Sequence, residues 1–361
     1  MTTVHEFLDT MNLRSRSRAS RAVLAAVATD ASGSWHPRAL RLAATAACAL
    51  ALAFAAPHAH AQAAARPAPA KNLPAQKTYA SPEDAAKALY DAVKSDDLRS
   101  IYAVLGPGSG AVIFSGDRVA DDAMRNDLVS SWDKAMTIDR SGSDTKATLL
   151  VGPNGTPFPF PLVQGAGGWR FDAKAGAEEV INRRIGENEF SAIEVCLAYV
   201  DAQREYVLRD RDRDGVMAYA QKFLSSPGRK DGLYWPTAAG EPPSPLGPLV
   251  GAARAQGYAK GDAASKRSEG GSAFHGYRYK ILTRQGKDAR GGAYDYIVNG
   301  KMIGGFALVA WPARYGVSGV MTFVCNHDGV VFEKDLGSRT PERAPAMTSF
   351  NPDSTWRKTG S

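Results

Sequence analysis

The sequence predicts an α+β protein: N-terminal helices with a curved antiparallel sheet, then one long helix packed on a second antiparallel sheet. Three observations carry this. Ser81-Pro82-Glu83-Asp84 is a well-formed helix start, several short strand-like runs lie between Thr145 and Asp172, and the stretch from Ala177 to about Arg209 has no proline and only Gly186. Helices followed by a meander are the α+β order.

The chain before these elements reads as an address. Arg38 and Arg41 precede an apolar run from Leu42 to Pro57, and Ala59-His60-Ala61 with Gln62 follows. A positive flank, a short apolar run and an A-x-A site make a signal peptide. The run is shorter than the roughly 20 residues that span a bilayer, so no membrane span is expected in the mature chain. We read residues 1–61 as a signal peptide with an extended N-region and expect a periplasmic or secreted protein; an uncleaved anchor is the alternative. Residues 62–78, rich in Ala and Pro, read as a linker.

Composition bounds the rest. The 361 residues are 44% apolar and 22% charged, ordinary for a soluble globular protein and long enough for two domains. The formal charge is +7. Residues 1–61 hold six arginines against Glu6, Asp9 and Asp30, so about +4 remains after cleavage. So mild an excess does not point to nucleic acid; it leaves a loose attraction to anionic surfaces. Cys48 lies in the signal run as a small apolar residue, so the mature chain keeps Cys196 and Cys325. In an exported protein the pair suggests one disulfide, closing a loop of about 130 residues worth several kcal/mol by chain entropy. Two buried free thiols are the other reading.

A first domain is expected over residues 79–175. Ser81 as N-cap, Pro82 in the first turn and the acids behind it favour a helix, continued by Ala85, Leu89, Ala92 and Val93 at helical spacing. Asp97 to Leu105 and Asp121 to Trp132 read as further helices. Strands follow at Thr145 to Val151, Phe158 to Val163 and Gly168 to Asp172. This order resembles the cone-shaped nuclear transport factor 2-like folds. A second domain is expected over 176–336. Ile181, Ile185, Ile193, Cys196, Val200 and Val207 keep a helical stripe, which Gly186 could divide. Val216 to Leu224 reads as a short helix, and Ser225 to Gly257 as a Pro/Gly-rich surface segment. Strands are expected at Gly276 to Leu282, Gly304 to Trp311, Gly319 to Cys325 and Val330 to Lys334, with Asp328-Gly329 as the last turn. Residues 337–361 lack periodicity and read as a loose tail.

Chemistry-bearing motifs are few. Asp210-Arg211-Asp212-Arg213-Asp214-Gly215 opens like a calcium loop, with Val216 offering a carbonyl and Gln221 at the twelfth position, where a bidentate Glu would complete the set. A solvated, charge-balanced helix terminus is the alternative. His275 and His327 have no metal-ligand spacing around them. Cys325 and His327 could form a nucleophilic pair only without a disulfide. Glu187, Glu189 and Glu194 could be paired carboxylates, but helical surfaces carry such acids routinely. Trp169, Trp235, Trp311 and Tyr315 could line a groove, with Trp169 and Trp311 by default in the core. Catalytic residues are assigned to none; Asp117, Asp121, Asp122, Trp132 and Asp139 are the first suspects for a hydrolase pocket in the first domain.

Several segments together resemble the bacterial family catalogued as domain of unknown function 2950. They are Gly168 to Asp172, Asn182 to Glu189, Tyr199 to Tyr206, Phe274 to Tyr277 and Asp328 to Leu336. The resemblance runs from about Tyr79 to Leu336 and implies export and architecture, not chemistry. Within it, Glu189 to Tyr206 followed by the Asp loop looks like the helix-then-sheet part of pilins and pseudopilins. The expected function is a non-enzymatic envelope module that binds an unknown envelope protein or surface. An exported hydrolase and a calcium-stabilised pilin-like subunit are the alternatives.

Overall fold

Local signals in the chain build the first elements. In the computed structural model, which describes residues 73–140, 142–238, 240–258 and 273–360, the Ser81 hydroxyl accepts from the Asp84 amide at 3.1 Å and starts helix α1, Pro82–Lys94. Asp97 caps α2, Leu98–Leu105, and Asp117 caps α4, Arg118–Lys134; a single turn, α3, Gly110–Ile113, lies between them. Ala85, Leu89, Ile101 and Val104 turn inward from these helices. They meet an antiparallel sheet of β1 Met136–Asp139, β2 Lys146–Val151, β4 Leu162–Gly165 and β5 Gly168–Phe171 in that order, with β3, Thr156–Pro157, beside β2. The pattern of β2, buried at every second residue, faces Leu149 and Val151 to this core. The signal segment, its positions Ala59, Ala61 and Gln62, and linker residues 62–72 lie outside the described residues. The linker's end does not float: the Gln76 amide donates to the carbonyls of Leu105 at 2.9 Å and Phe171 at 2.8 Å.

Helix α5, Ala173–Tyr206, runs 34 residues without interruption, about 51 Å at 1.5 Å per residue. Gly186 does not divide it, because the helix is held from outside on both sides of that residue. Ala177 belongs to the first core, whereas Ala192, Cys196, Tyr199 and Val200 belong to a second. There α5 packs on β12, Met321–Asn326, and β11, Ala307–Pro312. The second sheet is antiparallel, in the order β15-β13-β12-β11-β6, with β6 Tyr277–Leu282, β13 Val331–Asp335 and β15 Arg357–Lys358. Every residue of β11 is buried, so both faces of that strand are covered. The α+β class therefore stands, with both main sheets antiparallel.

Three expectations are corrected. Residues 216–224 are not helical: Tyr219 bridges to Met302, and Gln203 grips the Ala220 backbone in both directions, accepting from its amide at 2.8 Å and donating to its carbonyl at 2.7 Å. The Pro/Gly-rich stretch does not lie merely over the surface, since Leu233, Trp235 and Leu246 join the second core and α6 spans Gly247–Ala255. The 337–361 segment is not loose where described: it folds into a 3-10 turn Gly337–Arg339, helix α7 Thr340–Ala346, and β14 Ser349–Phe350, and then adds β15 to the sheet edge. Ala344 and Phe350 are buried in the second core, an apolar gain too sparse to register as periodicity. Short strands β7 Arg284–Gln285 and β8 Tyr294–Asp295 pair beside β14, and β9 Ile297–Val298 with β10 Lys301–Met302 forms a hairpin.

Candidate functional site

The sequence motifs converge first on a polar joint where the long helix passes from one core to the other. Arg184 donates to the carbonyls of Ala111 at 2.8 Å and Val112 at 2.7 Å. One turn on, Asn188 donates to the Ser318 carbonyl at 2.9 Å, and one Glu189 oxygen accepts from the amides of Val320 and Met321 at 2.9 and 3.0 Å. Across from them Asp117 accepts from the Gly276 amide at 2.9 Å and from the Tyr258 hydroxyl at 2.8 Å, and Asp121 accepts from the Ser115 amide. Burial raises the Asp121 carboxyl above the ordinary carboxylate range against the pull of Ser115, and lowers His275 below the ordinary imidazole range. Gly276 has φ +71° and packs against Asn188 so closely that no Cβ fits. Nearly every one of these polar groups spends its bonds on backbone. They fasten the halves together; they do not stand free for chemistry.

The other suspected acids scatter. Asp122 pairs with Arg118 and Arg125, Trp132 is buried in the first core, and Asp139 lies on β1. Glu189, read as a solvated face, is instead bound at the joint.

The Asp loop follows the C-terminal end of α5. Asp210 turns inward and accepts from the amides of Arg213 at 2.8 Å and Gly215 at 2.7 Å, bonds that hold its carboxyl below the usual range, with Gly215 contributing most. Asp212 and Asp214 both pair with the Lys301 ammonium from β10, and Gln221 donates to the Gly300 carbonyl at 2.8 Å. Val216 donates its amide to Asp214. The loop's positive partner is thus a lysine, and calcium would have to displace it. Among the described residues no three acidic, His or Cys side chains are grouped to hold a metal.

Beside this loop lies a cleft of about 260 Å³. Its inner wall is Arg211, whose guanidinium carbon sits 4.4 Å from the Tyr206 ring centroid and 4.8 Å from that of Trp235. The Lys230 ammonium stands 5.5 Å from the Trp235 ring centroid, and the Tyr206 hydroxyl donates to the Lys230 carbonyl at 2.9 Å. Arg209 lines the same cleft. Among the described residues Arg209, Arg211 and Lys230 form no ion pair with a carboxylate, and the Arg211 Nε is buried without a hydrogen-bond partner. Burial lowers the Arg211 pKa, the direction expected of a cation short of compensation. Leu208, Pro242 and Pro243 form the apolar rim, with Glu205 and Glu241 as its acids.

Cys196 and Cys325 are brought together. Both are buried and free, and the Cys325 thiol donates to the Cys196 carbonyl at 3.7 Å. Hydrogen bonding to Cys196, then burial, holds Cys325 well above the ordinary thiol range.

The joint and the cleft are both built by residues within one family pattern. The family model described as a protein of unknown function, DUF2950, matches residues 76–359. The chain belongs to the DUF2950 family. No curated protein and no solved structure matches it. In this DUF2950 chain, the motif Asn182 to Glu189 supplies Arg184, Asn188 and Glu189 to the joint, and Phe274 to Tyr277 supplies Gly276. Tyr206, from the third segment, backs Arg211, which lines the cleft. Trp235 was readable as a groove residue; Trp169 and Trp311 lie in the cores, and Tyr315 donates to Asp335. Arg211 was hidden inside the acidic motif, and the one signal for it was the alternation of arginine with those aspartates. Among the described residues no helix of the DUF2950 chain is long and apolar enough to cross a membrane.

Proposed function

We propose that this DUF2950 protein is an exported, non-enzymatic binding or assembly module of the bacterial envelope, working through the surface at the C-terminal end of α5. The observation that carries the reading is the unpaired positive charge there. Lys301 and Lys222 consume Asp212, Asp214 and Asp231, while Arg209, Arg211 and Lys230 are left for something outside the chain. Apolar residues crowd the same end: Leu208 is 73% exposed and Met217 53%, with Val298 and Ile303 on and beside the β9–β10 hairpin. Exposed apolar groups gathered beside cations mark interaction surfaces rather than stray leucines.

Export is supported by the signal pattern at residues 42–61, and in an oxidising compartment Cys196 and Cys325 would close one disulfide. The helices over a sheet in the first half favour the nuclear transport factor 2-like analogy, and α5 lying on an antiparallel sheet favours the pilin-like one. Filament assembly is the weaker part, since the long helix is internal and its first half serves another core.

A photo-crosslinking residue placed at Leu208 or Ile303 in the exported protein tests the reading. One adduct of defined mass is expected from both sites and none from Lys87 on α1. Equal, diffuse labelling from all three positions defeats it. Sequencing of the mature N-terminus is expected to begin at Gln62.

A further inference from the structure

We propose that Tyr206, Arg211 and Trp235 build a receptor for a single carboxylate carried on an apolar stub; this rests on the binding reading above and names its ligand. The Arg211 guanidinium has its carbon 4.4 Å from one ring centroid and 4.8 Å from the other, so its π surface is engaged by the aromatics. It can form new hydrogen bonds only through the N–H groups at its edge, in one plane, which is the fork that a carboxylate meets with two parallel bonds. These two ring contacts also hold the side chain before any ligand arrives, so less rotamer freedom is lost on binding. With its Nε buried and unpartnered and no carboxylate paired to it, the guanidinium's charge is left uncompensated by the described chain.

Charge selects among oxyanions. The cleft carries Arg209, Arg211 and Lys230 against Glu205 and Glu241. Three cations and two carboxylates leave one positive charge, which one carboxylate neutralises. A phosphate dianion would leave the site negative, with both glutamates facing it. Size and lining select what bears the carboxylate. At about 260 Å³ the cleft is smaller than the roughly 300–1,000 Å³ of pockets that enclose a whole drug-sized ligand. It holds an acid group and a few carbons, which Leu208, Pro242 and Pro243 would flank. A free aliphatic acid and the C-terminal or acidic side-chain carboxylate of a polypeptide share this chemistry.

The full mature protein, titrated by NMR at the Trp235 indole N–H, tests the proposal, with that resonance assigned by Trp235→Phe. The probes are hexanoate, hexanamide, inorganic phosphate, and a leucine-ended pentapeptide with a free or an amidated C-terminus. Hexanoate and the free peptide are expected to shift the resonance, while hexanamide and the amidated peptide do not. A free peptide binding at least tenfold more tightly than hexanoate identifies a polypeptide as the source; similar affinities identify a small acid. Arg211→Gln, and equally Arg211→Lys, is expected to weaken hexanoate at least tenfold. Should the Arg211 variants not fold, the exposed pair Arg209→Gln with Lys230→Gln is expected to weaken it severalfold. Equal response to acid and amide, phosphate binding as tightly as hexanoate, or variants that bind unchanged overturn the receptor. If the Leu208 and Ile303 cross-links persist in that case, the binding module stands and only its ligand class falls.

Discussion

Glu189 illustrates how much one side chain can carry at this joint. A single carboxylate oxygen takes the amides of Val320 and Met321, just where β12 begins. Removing a charged acceptor from two amides typically costs about 2 kcal/mol, so Glu189→Ala is expected to lower the urea midpoint by that equivalent, whereas Glu187→Ala, on the exposed face, should leave it unchanged. The Asp loop gives a pH prediction. Asp210 and Asp214 are held below the ordinary carboxylate range, chiefly by the Gly215 amide and by Lys301 respectively. A depressed folded pKa contributes stability that is complete above the unfolded value of about 3.9 and is lost as pH falls through the folded one. Lys301 is shifted upward, chiefly by Asp214, so its contribution fades only as pH rises above its ordinary range. Thermal melts should therefore lose less between pH 4 and pH 2 in the Asp210→Asn, Asp214→Asn double variant than in the parent chain. The double variant also bears on calcium: if the ion displaces Lys301, millimolar calcium should raise the parent's melting temperature and not the variant's.

At the scale of the element, two glycines make opposite predictions. Gly186 lies mid-helix with open space where a Cβ would stand. Gly186→Ala should stabilise by about 0.5–1 kcal/mol, read as a higher melting temperature, because the helix gains propensity without a clash. Gly276 combines a positive φ with the Asn188 amide at its back. Gly276→Ala should destabilise by about 2 kcal/mol or more, as strain and the lost Asn188 contact add. Legibility divides the same way. The start of α1 could be read because Ser81, Pro82 and Asp84 settle it within four residues, and the β12–β13 turn because Asp328-Gly329 is local. The strands β7 to β10 could not be read, since two residues carry no period and their partners lie elsewhere in the chain. Residues 216–224 misled for a related reason: their apolar spacing suits a helix, but Gln203, from the preceding α5, takes the Ala220 backbone first. The cleft was the least legible part. Tyr206, Arg211 and Trp235 come from a helix end, a loop and a Pro-flanked segment, and nothing in the spacing places a tryptophan against an arginine 24 positions earlier.

Across the whole molecule, both cores draw on α5, and the joint ties the helix to each of them. Unfolding should therefore be one transition. In urea, a fluorophore introduced at Lys87 for the first core and another at Lys334 for the second are expected to report the same midpoint, and Gly186→Pro is expected to separate the two curves.

Helix α5 also sets a length. Proteins of two lobes commonly flex at a loop between them, where a few dihedral angles absorb the motion. Here the passage from one core to the other is a rod whose backbone hydrogen bonds would have to break before it could bend sharply. Spin labels at its two ends should give a narrow separation near five nanometres, with or without a ligand. The protein would then act as a ruler, presenting its cationic end at a set distance from wherever its first core is held.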